Sequence, residues 1–319
     1  MIHTTPVNPN ATPEATALLQ YLHDIAGTNI LAGQHTQTNP MEEVAYIETV
    51  TGKSPKLCGF ELLAYSPNIR MEDASEACRI EVEENRNTMD TALRWANETG
   101  GIVTLTFHWF SPLGGHDKSF YTEHTDFDAE RVLHDGTPER AAFFHLDAIA
   151  VQLQRFQDAK IPVLWRPFHE AEGTWFWWGA KGAGVAKQLY LLMYEYYVHH
   201  YHFDHLLWVW NSRLPEGYPG DDFVDVVSVD VYLPHYEATD YAADYQALIA
   251  ASSANKVAAL AEVGFLPDAA LLEKSKIPWA YFMTWSKEFC IGETYNTKQR
   301  LKDVYHHERV LSQKPVLTK

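Results

Sequence analysis

Eight short apolar runs recur along the chain, most of them separated by a segment with helical character. They fall at 30–32, 57–63, 102–107, 161–165, 206–210, 226–231, 257–261 and 280–284. Runs that are apolar throughout, rather than alternating, mark strands buried on both faces, as in a parallel sheet. The intervening segments at 13–26, 40–50, 76–97, 137–159, 185–201, 241–251 and 298–310 predict helices, with a short one after Pro267. Their ends carry suitable punctuation: Asn39-Pro40 and Thr137-Pro138 at starts, Gly27, Gly52 and Gly100-Gly101 at stops. Eight such units in 319 residues predict an α/β fold, the (β/α)8 TIM barrel, as a single domain over 1–319. A doubly wound sheet is the alternative. The barrel makes the sharper demand, that polar and aromatic side chains collect where strands end. His35, Glu61, His108, Glu170, Asn211, Tyr232, Glu262 and Trp285 all do so.

The formal charge of −17 argues against nucleic acid and against an anionic membrane as partners. A neutral substrate suits it, and the expected state is a monomer. No run is long enough to span a bilayer. The opening MIHTTPVNPNATPEA lacks a basic n-region and an apolar h-region, so no signal peptide is expected in this chain. The expected compartment is extracellular if a signal was trimmed and cytoplasmic otherwise. Three cysteines, Cys58, Cys78 and Cys290, have no CxxC spacing and read as buried free thiols.

One stretch concentrates the chemistry. WRPFHEAEGTWFWWG, residues 165–179, follows the fourth apolar run and holds Arg166, His169, Glu170, Glu172 and four of the ten tryptophans. Aromatic faces stack on the C–H faces of sugars, and two carboxylates cleave glycosidic bonds. Glu262, after the seventh run, supplies a second carboxylate at an equivalent strand end. A lone glutamate there could equally cap a loop or hold an ion pair. Trp177 and Trp178 read as loop packing as readily as sugar contacts. Arg166 could be a buried guanidinium that holds carboxylates in place.

The central stretch, with ALAEVG and YFMTWS downstream, resembles glycoside hydrolase family 26 over nearly the whole chain. The resemblance implies a retaining (β/α)8 glycosidase, principally an endo-β-1,4-mannanase acting on mannan, galactomannan or glucomannan, with no cofactor and no metal. It implies Glu170 as general acid/base and Glu262 as nucleophile. It places His108, His169, Trp175, Tyr232 and Trp285 around the cleaved sugar; Arg166 is expected beside them on the substrate side, and with Tyr232 is a candidate donor that keeps Glu262 ionised. The chain departs from the pattern twice. Ala171-Glu172-Gly173 stand where many members carry Met-Asn-Gly, and Ser286 stands where many mannanases carry Arg. Relatives that cut mixed-linkage β-1,3-1,4-glucan or β-1,3-xylan keep the substrate open. A metal-dependent hydrolase using His35, His108, His169 and a carboxylate is a rival, although the chain contains no HExxH. A carbohydrate-binding barrel without catalysis is a second rival, which the pair of glutamates disfavours.

Overall fold

The computed structural model describes residues 4–37, 39–145 and 147–317. Eight parallel strands form a closed barrel: β1 (Ile30–His35), β2 (Leu57–Glu61), β3 (Ile102–Thr106), β4 (Val163–Arg166), β5 (Leu206–Asn211), β6 (Val226–Val231), β7 (Val257–Val263) and β8 (Trp279–Thr284). Each pairs with the next, and β8 pairs back onto β1, with Leu31 opposite Tyr281 and Gln34 opposite Thr284. Among the described residues ten α-helices accompany them: α1 (Pro13–Ile25), α2 (Glu42–Thr51), α3 (Glu76–Glu84), α4 (Thr88–Thr99), α5 (Pro138–Phe143), α6 (Asp147–Asp158), α7 (Ala183–Glu195), α8 (Ala242–Ala251), α9 (Ala269–Ser275) and α10 (Lys298–His306).

Local sequence sets the helix ends. Thr12, Ser75, Thr137, Asp268 and Thr297 cap α1, α3, α5, α9 and α10 by accepting a backbone N–H two or three positions into the helix. Gly52 and Gly100 end α2 and α4 at φ 70° and 62°, a region where a Cβ is costly. The predicted helix over 76–97 is two helices instead. Asn87 takes φ 65° between α3 and α4, a left-handed turn that asparagine tolerates better than most residues. The predicted helix over 137–159 is likewise divided into α5 and α6. Two short strands went unpredicted. Val310–Gln313 pairs with β1 on one side and with Ser54–Pro55 on the other.

The core has two parts. Residues from the strand starts, among them Leu31, Leu57, Ile102, Leu207 and Val226, pack with Leu18, Leu19 and Leu22 of α1. Helix α1 therefore plugs the amino-terminal end of the barrel. A larger cluster lies between the strands and the outer helices and includes Trp165, Trp208 and Trp279. Functional side chains are left to the carboxyl-terminal face, where the strand-to-helix loops emerge. Cys58, Cys78 and Cys290 are free and buried. Among the described residues no helix is long and apolar enough to cross a membrane.

Candidate active site

Arg166, the last residue of β4, anchors the site. It is wholly buried, and two of its nitrogens meet two carboxylates: Nη1 donates to Asp230 Oδ2 at 2.8 Å, and Nη2 donates to Glu262 Oε1. Nη2 also donates to Thr106 on β3. Burial opposes the guanidinium's charge, but Asp230 and Glu262 outweigh it and hold the cation firmly protonated. The predicted sugar contact by Arg166 thus gives way to its other reading, a buried cation that fixes acids.

The chain leaves β4 through an unusual turn. Phe168 and Glu170 both adopt left-handed φ, 50° and 53°. Such positions cost about 1–3 kcal/mol each and persist where the surroundings over-determine them. Here the surroundings are tight. Glu170 N–H donates to Asn211 Oδ1 at 2.6 Å, Trp178 Nε1–H to the His169 carbonyl at 2.8 Å, and Trp177 Nε1–H to the Trp109 carbonyl at 2.7 Å. Trp177 and Trp178 are fully buried. They scaffold the loop that presents Glu170.

Trp175 differs from them. It is 48% exposed and its Nε1–H donates to Glu170 Oε2 at 2.7 Å. Glu170, Asp230 and Glu262 converge so closely that a carboxylate oxygen from each lies within 4.8 Å of the others. Burial and the neighbouring Asp230 charge push both glutamates up, Glu170 to about 7. Their donors separate them. Glu262 receives Arg166 and the Tyr232 hydroxyl at 2.7 Å; Asp230 receives Arg166 and Asn211 Nδ2 at 2.8 Å. Glu170 has the single neutral donor on Trp175. The cationic donor and the hydroxyl thus favour the ionised form of Glu262 more than the single indole N–H favours that of Glu170.

A second array runs from β2. Glu61, wholly buried, accepts the backbone N–H groups of Leu62, Leu63 and His108 on Oε1, and its Oε2 lies 2.7 Å from His108 Nδ1. His108 Nε2 lies 3.0 Å from His169 Nε2. Burial works against charge on His108, but Glu61 outweighs it and raises its pKa, whereas burial and His108 lower that of His169. Glu61 thus favours the charged form of His108, and burial the neutral form of His169. Trp285 stacks on His35, ring centroids 3.9 Å apart and planes 13° apart.

His108, His169, Glu170, Tyr232, Glu262 and Trp285 line one cleft of about 510 Å³. Trp175 joins them through its bond to Glu170, and Arg166 lies beneath. Sequence reasoning passed over Asp230. Its signal was one acid inside the apolar run VVSVDV. Glu172 sits off the cleft and faces Arg213, Oε1 to Nε 3.8 Å, while Arg213 also pairs with Asp244. The histidines of the metal reading are otherwise engaged: His35 against Trp285, His108 and His169 with each other. Of the three acids that do converge, Asp230 and Glu262 are paired with the Arg166 cation.

The profile of glycosyl hydrolase family 26 matches residues 7–315. A mannan endo-1,4-beta-mannosidase of Thermothelomyces thermophilus is 41% identical over 314 residues, 96% of this chain and 62% of the relative. Mannan endo-1,4-beta-mannosidase A of a Piromyces species is 28% identical, over 98% of this chain and 50% of the relative. The chain thus spans between half and two thirds of the length of these two relatives. The crystal structure of a Podospora anserina beta-(1,4)-mannanase with a CBM35 module superposes with a TM-score of 0.86 at 37% identity, covering 98% of this chain and 68% of that one. A beta-mannanase from a symbiotic protist of the termite Reticulitermes speratus, solved with a gluco-manno-oligosaccharide, gives 0.84 at 29% identity, covering 98% and 97%. The chain belongs to glycosyl hydrolase family 26.

Proposed function

We propose that the protein is a retaining endo-β-1,4-mannanase that hydrolyses mannan, galactomannan or glucomannan by double displacement. The observation that carries this reading is the approach of Glu170 and Glu262, with carboxylate oxygens within 4.8 Å in one aromatic cleft. Retaining glycosidases hold their two carboxyl groups about 5–5.5 Å apart, whereas inverting ones leave about 6.5–9.5 Å for a water. Glu262, kept ionised by Arg166 and Tyr232, attacks the anomeric carbon and forms a glycosyl-enzyme. Glu170 gives its proton to the leaving oxygen, then takes one from the water that releases the sugar. Trp285, backed by His35, is the platform for the sugar being cleaved, with the His108–His169 pair beside it. Trp175, on the leaving-group side with Glu170, receives the departing chain. The named activities of the relatives support β-mannan as substrate.

The test is proton NMR of mannopentaose hydrolysis together with Glu262→Ala. The product should appear first as the β-anomer, and the variant should bind mannopentaose without turning it over. An α-anomer first, or undiminished turnover in the variant, would overturn the assignment.

A further inference from the structure

The carboxyl-terminal face of the barrel carries a second cavity, of about 570 Å³, that the proposed reaction does not use. It lies between the loop after β6, the segment joining β8 to α10, and the starts of α9 and α10. Tyr236, 41% exposed, forms one wall, and the Arg300 guanidinium sits 4.2 Å from its ring centroid. Arg300 Nη1 pairs with Asp268 at 3.2 Å. Tyr295, Glu293 and Asp303 complete the lining that matters here. Tyrosine rings offer amphipathic faces, and a guanidinium beside carboxylates offers charge-assisted donors and acceptors. That combination fits a neutral polyhydroxylated ligand. Asp268, paired with Arg300, and Glu293 and Asp303 elsewhere in the lining disfavour an anion.

The cavity is joined to the cleft through rings. Phe289 lines the cleft and packs on Tyr232, centroids 5.1 Å apart, and Tyr232 holds Glu262. Phe289 also lies 4.3 Å from Tyr295. Tyr295 meets Phe265 at 5.3 Å, and Phe265 meets Tyr236 at 5.7 Å. One aromatic row thus runs from the nucleophile's partner to the wall of the second cavity.

We propose that this cavity is a second glycan-binding site, holding sugars of the same neutral β-glycan outside the cleft. The inference rests on the β-mannanase reading above. A chain engaged at both sites gains avidity that a short oligosaccharide confined to the cleft cannot. The test compares galactomannan with mannotetraose as substrates of wild type, Tyr236→Ala and Asp303→Ala, the last an exposed change on α10. The expected result is a KM for galactomannan raised about fivefold in both variants, with kcat/KM for mannotetraose unchanged. A galactomannan KM within twofold of wild type in both variants, with wild type active, would overturn the second site and leave the enzyme reading intact. A wild type inactive on both substrates would overturn the enzyme reading and, with it, this one.

Discussion

Asp230 faces Glu262 across the β6–β7 ladder because the register shifts by one residue just before them. Val229 pairs with Leu260, and the next pair is Asp230 with Glu262, which passes over Ala261. Without that shift Asp230 would pair with Ala261 instead of Glu262. Bulges of this kind re-aim side chains at active sites. Asp230→Asn should therefore change chemistry more than fold. The asparagine keeps an acceptor for Arg166 but removes the charge that helps raise Glu170. The alkaline limb of kcat/KM, which reports loss of the acid's proton, should move to lower pH. At pH 7 the rate should fall roughly 10–100-fold. A pH–rate profile with an unmoved limb would refute the link.

Glu170 should also leave a mark on stability. Its pKa is raised to about 7 by burial and Asp230, against an ordinary value near 4.5. The folded protein keeps this proton between those values while the unfolded chain loses it. The residue's contribution to stability therefore declines as pH rises from about 4.5 to about 7, then levels off. Glu170→Gln has no such decline. Its stability relative to wild type should grow over that window by up to about 3 kcal/mol. Urea titrations at pH 4.5 and pH 8 measure the difference, and an equal offset at both would contradict the placement of the proton. With substrates, Glu170→Ala should be slowest on poor leaving groups, since an activated aryl leaving group needs no acid.

Glu61 should act through His108. Glu61→Gln weakens the support for three backbone N–H groups and removes the charge that raises the His108 pKa. Loss of about 1–3 kcal/mol of stability is expected for such a buried acceptor. The more telling readout is the imidazole titration followed by NMR. The His108 midpoint should drop, whereas an effect on stability alone would leave it in place.

The tryptophans after Glu170 should separate by role. Trp178→Phe removes a buried N–H bonded to the His169 carbonyl and should cost about 1–3 kcal/mol, seen as a lower urea midpoint. Trp175→Phe changes an exposed ring and should leave that midpoint near wild type. It removes the Trp175 bond that favours ionised Glu170, so the alkaline limb should move to higher pH. The two variants should thus fail in opposite assays.

Much of this was legible in the sequence because strands and strand ends write themselves locally. The apolar runs located all eight barrel strands, and Glu170 and Glu262 followed from where those runs stop. Other features were hidden because they depend on pairing. Nothing near Asp230 announces that a skipped Ala261 will set it opposite Glu262. The stack of His35 on Trp285 joins residues 250 positions apart. The break at Asn87 turns on one left-handed residue inside a polar stretch that reads as continuous helix. The strand at Val310–Gln313 needs β1 and Ser54–Pro55 to make it one.

The β1–β8 contact is the seam at which the barrel closes. His35 belongs to one side of it, and Trp285 lies just beyond the other. The proposed sugar platform is therefore assembled from the two barrel strands that lie farthest apart along the chain. Loop-closure entropy makes such distant pairings late events in folding. A barrel open at this join would still carry both glutamates but would lack the His35–Trp285 stack, so on the proposed reading activity should return only once the join has closed.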